Sequence, residues 1–253
     1  MISIKNSRDL QLMREACVVS ARALQVGGEA VQPGVTTGEI DRLIRTYIEK
    51  SGAKPSFLGY GGFPASACIS VNATVIHGIP GTYVIREGDI VSIDVGANLN
   101  GFHGDNAATF AAGKVSREAQ ALMDATRESL YEGIRAATAG NRVGDIGAAV
   151  QRYVEMRGYS VVRQFVGHGV GTHLHEDPSV PNFGTPGRGP KLLPGMTLAI
   201  EPMVNAGTHE VRILGDGWTT VTGDGRLSAH FEHTIAITPD GPVIMTDPDG
   251  KLR

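Results

Sequence analysis

Cysteine is scarce in this chain. Of 253 residues only Cys17 and Cys68 are cysteines, far apart in sequence. That excludes a disulfide framework and a CxxC metal pair. No run of about 18 apolar residues occurs, so no membrane-spanning helix is expected. The opening Met1-Ile2-Ser3-Ile4-Lys5 lacks the long apolar stretch of a signal peptide, and the cytoplasm is the expected compartment. There is no basic run, and the formal net charge is -3. Binding to nucleic acid through its phosphates is therefore not expected. No Pro/Ser-rich linker divides the chain, so residues 1–253 are expected to form one domain. What is present is an ordinary globular mixture, 41% apolar and 19% charged, which excludes general disorder.

Apolar periodicity predicts four helices. Ser7 can cap the first, with Leu10, Met13, Cys17 and Leu24 on its apolar face. Thr37 can cap the second, with Ile40, Leu43, Ile44, Tyr47 and Ile48 on one stripe and Gly52 as its stop. The third begins at Ser116 and carries Leu122, Leu130 and Ile134. The fourth carries Ile146, Val150, Tyr153 and Val154 and stops at Gly158.

The second and fourth helices repeat one pattern. Gly34, Gly38, Ile40, Tyr47 and Gly52 recur as Gly140, Gly144, Ile146, Tyr153 and Gly158, always 106 residues later. A strand-like segment repeats too. Gly88-Asp89-Ile90-Val91-Ser92-Ile93-Asp94 parallels Gly195-Met196-Thr197-Leu198-Ala199-Ile200-Glu201, 107 residues later. Two segments agreeing within one residue of offset predict a duplicated, pseudo-symmetric body with halves of roughly 1–110 and 111–253. A functional site is expected where the halves meet.

Acidic residues stand in or beside apolar strand segments. Asp94 ends Ile90–Ile93, Glu201 ends Leu198–Ile200, and Glu232 precedes Thr234–Ile237. Asp105 lies in Gly101-Phe102-His103-Gly104-Asp105, and His168 in Gly167-His168-Gly169. Taken singly, Asp105 has an ordinary reading as a turn residue and the glutamates as solvent-facing strand positions, while the glycines flanking His168 leave room for a substrate or metal to approach. Taken together, they have a cost. Two like charges about 4 Å apart repel by about 4 kcal/mol at an effective dielectric near 20. Two divalent cations would cancel four carboxylates. Oxygen donors with one imidazole suit manganese, iron, cobalt or zinc rather than a thiolate-seeking metal. Such a pair polarises a carbonyl and activates water, so amide hydrolysis is the natural reaction class.

These motifs resemble the type I methionine aminopeptidases, in their bacterial form, over nearly the whole chain. Asp94 with Asp105 eleven residues later matches that family's paired metal aspartates. Gly167-His168-Gly169-Val170-Gly171, Ile200-Glu201-Pro202 and Phe231-Glu232-His233 match its metal histidine and two glutamates. His77 in Val75-Ile76-His77-Gly78-Ile79-Pro80 and His175 in Leu174-His175-Glu176 match its substrate-facing histidines. The resemblance implies the α+β pita-bread fold, an antiparallel sheet flanked by helix pairs. It implies a metal set of Asp94, Asp105, His168, Glu201 and Glu232 around two divalent ions. Catalytic roles fall on His77, His175 and Glu201, and a methionine pocket on Tyr60, Phe63, Cys68 and Trp218. The implied activity is removal of the N-terminal methionine from nascent proteins when the second residue is small, by metal-activated hydroxide attack on the peptide carbonyl. The implied partners are nascent N-termini at the ribosome, and the implied state is a monomer. Departures from the family pattern are Leu174 for an aromatic residue, Phe57 for a cysteine and Ser92 for an asparagine.

Two other readings stay open. A proline-specific peptidase of the same fold usually carries a large N-terminal domain, for which a helix starting near Ser7 leaves no room. A catalytically inactive peptide-binding module should have lost ligands, and all five are here. The 33 positions between His168 and Glu201 also leave no room for the long insertion of type II methionine enzymes.

Overall fold

A computed structural model describes residues 1–250; residues 251–253, the end of the expected second half, lie outside the described residues. The helices are α1 (Ser7–Glu29), α2 (Thr37–Lys50), α3 (Arg117–Ala136) and α4 (Val143–Glu155). The first strands are β1 (Lys54–Pro55), β2 (Ala67–Val71), β3 (Thr74–Ile76), β4 (Ile90–Leu99) and β5 (Phe102–Ala111). Next come β6 (Ser160–Val161), β7 (Gly167–Gly169), β8 (Glu176–Val180), β9 (Thr197–Ile200) and β10 (Met203–Asn205). The last are β11 (Val211–Ile213), β12 (Thr220–Thr222), β13 (Ser228–His230), β14 (Glu232–Thr238) and β15 (Gly241–Ile244).

Two helix ends differ from expectation by one residue. The cap of α1 is Asn6, not Ser7: its side-chain oxygen accepts the amides of Arg8 and Asp9, and Asp9 accepts the Asn6 amide in return. The cap of α2 is Thr36, not Thr37, with Glu39 completing the same reciprocal pair. A glutamate or aspartate three residues on selects the earlier position in both cases. Ser116 caps α3 as expected. On α2, Ile40, Ile44 and Ile48 are fully buried, but Leu43 is 38% exposed and leaves the stripe.

The main sheet has nine strands and is antiparallel throughout. Its path runs β1-β4-β5-β14-β9-β7-β8, with β2 also on β4 and β15 on β14. One core lies between α1, α2 and the strands β2 and β4, built on Ile40, Ile44, Ile48, Ile69 and Ile93. Another lies between α3, α4 and the strands β9 and β14, built on Leu130, Ile134, Ile146, Leu198 and Ile235. Helix α1 comes unusually close to β5: a Cβ on Gly104 would sit 2.4 Å from the Cα of Cys17, so only glycine fits there.

The sequence repeat has a hydrogen-bonded counterpart. The Gly34 amide donates to the Ile85 carbonyl at 2.8 Å, and the Gly140 amide to the Leu192 carbonyl at 3.0 Å. Gly38 donates to Gly81 and Gly144 to Arg188, both at 2.9 Å. Gly34 and Gly140 share a φ of +97°. Each partner recurs at the offset of 106 or 107 read from sequence, and the two cores meet where β5 pairs with β14.

Candidate metal centre and active site

Three central strands and the end of a fourth carry the acidic residues, and a fifth carries His168. Asp94 is inside β4 and pairs with Ala107 of β5; Glu232 of β14 pairs with Ala107 from the other side. Cross-strand partners share a face, and Asp105 lies two residues from Ala107, so all three carboxylates point to one side of the sheet. The turn reading of Asp105 is wrong: it is a buried residue within β5, and Asn100-Gly101 make the turn. Asp94 does not end its strand either, since β4 continues to Leu99. Glu201 immediately follows β9, and His168 of β7 pairs with Ala199. The glycines beside His168 admit neighbouring backbone rather than a ligand. A Cβ on Gly167 would lie 2.3 Å from the Ala199 carbonyl, and one on Gly169 2.2 Å from that of Asp177.

The side chains converge. One donor atom from each of Asp105, His168 and Glu232 lies within 4.8 Å of the others. His168 Nε2 is 3.5 Å from Glu201 Oε1 and 3.8 Å from Asp105 Oδ2. The His168 Nδ1–H donates to the Gly169 carbonyl at 2.8 Å, which turns the Nε2 lone pair toward the carboxylates. Asp94 joins them in lining one cavity of about 150 Å³.

Burial sets the charge state of this cluster. It pushes Asp105 up to about 7. Burial first, and then repulsion among the acids, lifts Asp94, Glu201 and Glu232 well above the carboxylate range. Burial also lowers His168 to about 3, keeping its imidazole neutral. Asp94 Oδ1, Asp105 Oδ1 and Glu232 Oε1 are buried without a hydrogen-bond partner. Among the described residues, the ion-pair partners of these carboxylates are His168 and His230, not lysine or arginine. Buried acceptors without donors, beside an imidazole lone pair, fit a divalent cation.

Another part of the cavity wall is apolar. Phe57, Phe63, Cys68 and Leu174 pack as one buried cluster, with Trp218 edge-on to Phe63 at 5.2 Å between centroids. Tyr60 lines the same cavity and is 45% exposed. All four expected pocket residues line this wall, and so do Phe57 and Leu174, two of the three departures from the family pattern. The Cys68 thiol is raised by burial and then by Asp94, so it is no thiolate nucleophile.

Two histidines also line the cavity. His77 has a φ of +57°, a strained conformation for a non-glycine residue. Its ring stands edge-on between Phe165 and Trp218, and burial lowers its pKa to about 4. His175, at the mouth, shares a 2.7 Å hydrogen bond between Nδ1 and the Tyr60 hydroxyl, and its ring centroid is 4.2 Å from that of His168. The Tyr60 and Phe165 contacts were invisible in sequence, because they join segments about 90 to 115 residues apart. His103, by contrast, is clamped by Asn98 and Ser56, and His233 by Thr246.

The metallopeptidase family M24 model matches residues 11–239. The chain belongs to metallopeptidase family M24. This metallopeptidase is 57% identical over 246 residues to the methionine aminopeptidase of Clostridium perfringens, covering 97% of the chain and 99% of the relative. It is 52% identical to methionine aminopeptidase 1 of Bacillus subtilis, with the same coverage. Its structure matches the crystal structure of Thermotoga maritima methionine aminopeptidase with a TM-score of 0.96 at 46% identity, covering 97% and 99%. The prolidase of Pyrococcus horikoshii matches at a TM-score of 0.80 with 22% identity, covering 99% of this chain and 65% of that one, a likeness of fold alone. The pita-bread fold expected from the motifs is thus the fold of this metallopeptidase. Among its described residues, no helix is long and apolar enough to cross a membrane.

Proposed function

We propose that this metallopeptidase is a methionine aminopeptidase that removes the first residue of nascent proteins when the second residue is small. The observation that carries the reading is an acidic cluster that, among the described residues, has no lysine or arginine partner, set against a buried apolar wall inside one small cavity. The residues that would hold two divalent ions are Asp94, Asp105, His168, Glu201 and Glu232, with cobalt, manganese, iron or zinc as suitable metals. Bound there, the ions supply Lewis-acid polarisation of the scissile carbonyl and an acidified water.

Each side chain then has a task. Glu201 accepts the proton of the attacking water, a general-base role that its place beside His168 and the other acids allows. His175, oriented by Tyr60, donates from Nε2 to the oxygen that gains charge at the carbonyl carbon. His77, kept neutral by burial, hydrogen-bonds the substrate backbone. The wall of Tyr60, Phe63, Cys68 and Trp218 takes the thioether side chain.

The whole chain acts as a single catalytic domain of two halves, as a monomer in the cytoplasm, on N-termini emerging at the ribosome. The deciding assay is hydrolysis of Met-Ala-Ser and of Xaa-Pro peptides by protein loaded with each metal. Metal-dependent release of methionine, with Met-Gly starts faster than Met-Lys starts, is the expected result. Faster Xaa-Pro cleavage would move the assignment to a proline peptidase, and no cleavage with any metal to a binding module.

A further inference from the structure

His230 is 1% exposed, and its main chain is fixed from both sides: its amide donates to the Thr109 hydroxyl at 2.9 Å, and that hydroxyl donates to its carbonyl at 2.8 Å. Strand pairing with Met203 holds the same backbone. Yet its ring Nε2 is buried with no hydrogen-bond partner. A buried polar atom left unpaired costs about 1–3 kcal/mol. The acidic group facing it is Glu201, whose Oε2 lies 3.8 Å away.

Glu201 is bracketed by two imidazoles, one at each oxygen. Oε1 faces His168 Nε2 at 3.5 Å, and Oε2 faces His230 Nε2. The two rings are not equivalent. His168 spends its Nδ1 proton on the Gly169 carbonyl, so its Nε2 presents a lone pair and cannot donate to an ionised carboxylate. His230 is free to carry its proton on Nε2. The main chain of Glu201 is separately held by the Asn182 side-chain amide, which donates to its carbonyl at 3.0 Å. What remains to be set is the rotation of the carboxylate itself. A small rotation closes 3.8 Å to hydrogen-bonding range, about 2.7–3.2 Å.

We infer that His230 is a positioning residue that acts through Glu201, donating from Nε2 to Oε2 so that Oε1 is held toward the acidic cluster and the substrate. It touches neither substrate nor the other acids. The inference rests on the role given to Glu201 above.

The test compares His230→Leu, which removes the donor, with His230→Gln, which keeps one, using manganese as the probe metal. His230→Leu is expected to lower kcat on Met-Ala-Ser about 10–100-fold with KM little changed, and to weaken manganese binding measured by calorimetry about 10–100-fold. His230→Gln is expected to recover most of both. Equal impairment in the two variants would show that ring shape rather than the donor matters, and would overturn the inference. So would a His230→Leu protein within twofold of wild type in both readouts. Nitrogen-15 NMR of the wild-type imidazole supplies a check that needs no variant: a proton on Nε2 is expected, and one on Nδ1 overturns it. If the wild type releases no methionine with any metal, the aminopeptidase reading fails, while manganese affinity and the tautomer still decide the role of His230.

Discussion

Lys5 Nζ lies 2.5 Å from Glu176 Oε2, with the two side chains only 4% and 10% exposed. This pair ties the segment before α1 to the loop that carries His175. Glu176 Oε1 also accepts the His173 amide at 3.1 Å, and the Lys5 amide donates to Gly195 at 2.8 Å. Lys5→Met should cost about 3–5 kcal/mol, because it strands a buried carboxylate. Burial pushes Glu176 up, but hydrogen bonds from Lys5 and the loop amides outweigh it and hold its pKa below the ordinary 4.5. A depressed carboxylate contributes stability above its unfolded value and loses it as pH falls through the folded one. The gap between wild type and variant in urea unfolding should therefore be full above pH 4.5 and shrink below it. A gap that widens with acid would contradict the pairing.

Glu201→Gln should fold and melt like wild type, or slightly higher without metal, since it removes one of four buried acids. Its turnover of Met-Ala-Ser should fall by at least about 10²–10⁴-fold, the usual loss for a general base. Steady-state kinetics at saturating manganese checks this. Wild-type turnover would remove Glu201 from its role.

Metal-free protein should lose stability as pH rises from 6.5 to 8. Asp105, raised to about 7, and the other three buried acids bind protons in the folded state that the unfolded state has released. Stability therefore falls as pH climbs through their folded values. Below 6.5 the sign is contested: His168 and His230, neutral down to about 3 when folded, gain protons on unfolding and oppose the acids. Unfolded histidines still release protons up to about pH 7.5, so melting in chelator reads the carboxylate contribution most cleanly at the upper end of pH 6.5–8. Added manganese should raise the melting point most at the upper end of that window, by preferential binding to the folded state. A flat profile would mean the acids are ionised without a cation.

Gly104→Ala should destabilise by about 1–3 kcal/mol, because the new methyl meets the α1 backbone at Cys17 rather than a movable side chain. It should also reduce activity, since relief requires β5 to shift beside Asp105. Chemical denaturation and kcat on the same preparation test both halves of the claim. A stable, fully active variant would show that α1 is free to move.

The five acidic-cluster residues, both histidines and the pocket wall were legible as motifs because each sits in a short segment of its own. The repeat of turn glycines was legible too, since positions with positive φ leave little choice of residue. Boundaries were less so. Asp105, expected as a metal ligand, also admits a turn reading because glycine and asparagine flank it, and only pairing with β4 and β14 makes it a strand residue. The caps at Asn6 and Thr36 were missed by one position, since adjacent hydroxyl and amide residues compete for the same amides.

The order and spacing of Asp94, Asp105, His168, Glu201 and Glu232 belong to the sequence alone, and with them the family and the class of chemistry. Which groups touch was decided only by the folded chain. Tyr60 reaches His175, Lys5 reaches Glu176, and His230 faces Glu201, across 115, 171 and 29 residues. Residue type records what a side chain can donate or accept. Only strand register and helix packing bring distant donors and acceptors within a few ångströms, and exclude the water that would otherwise pair with them.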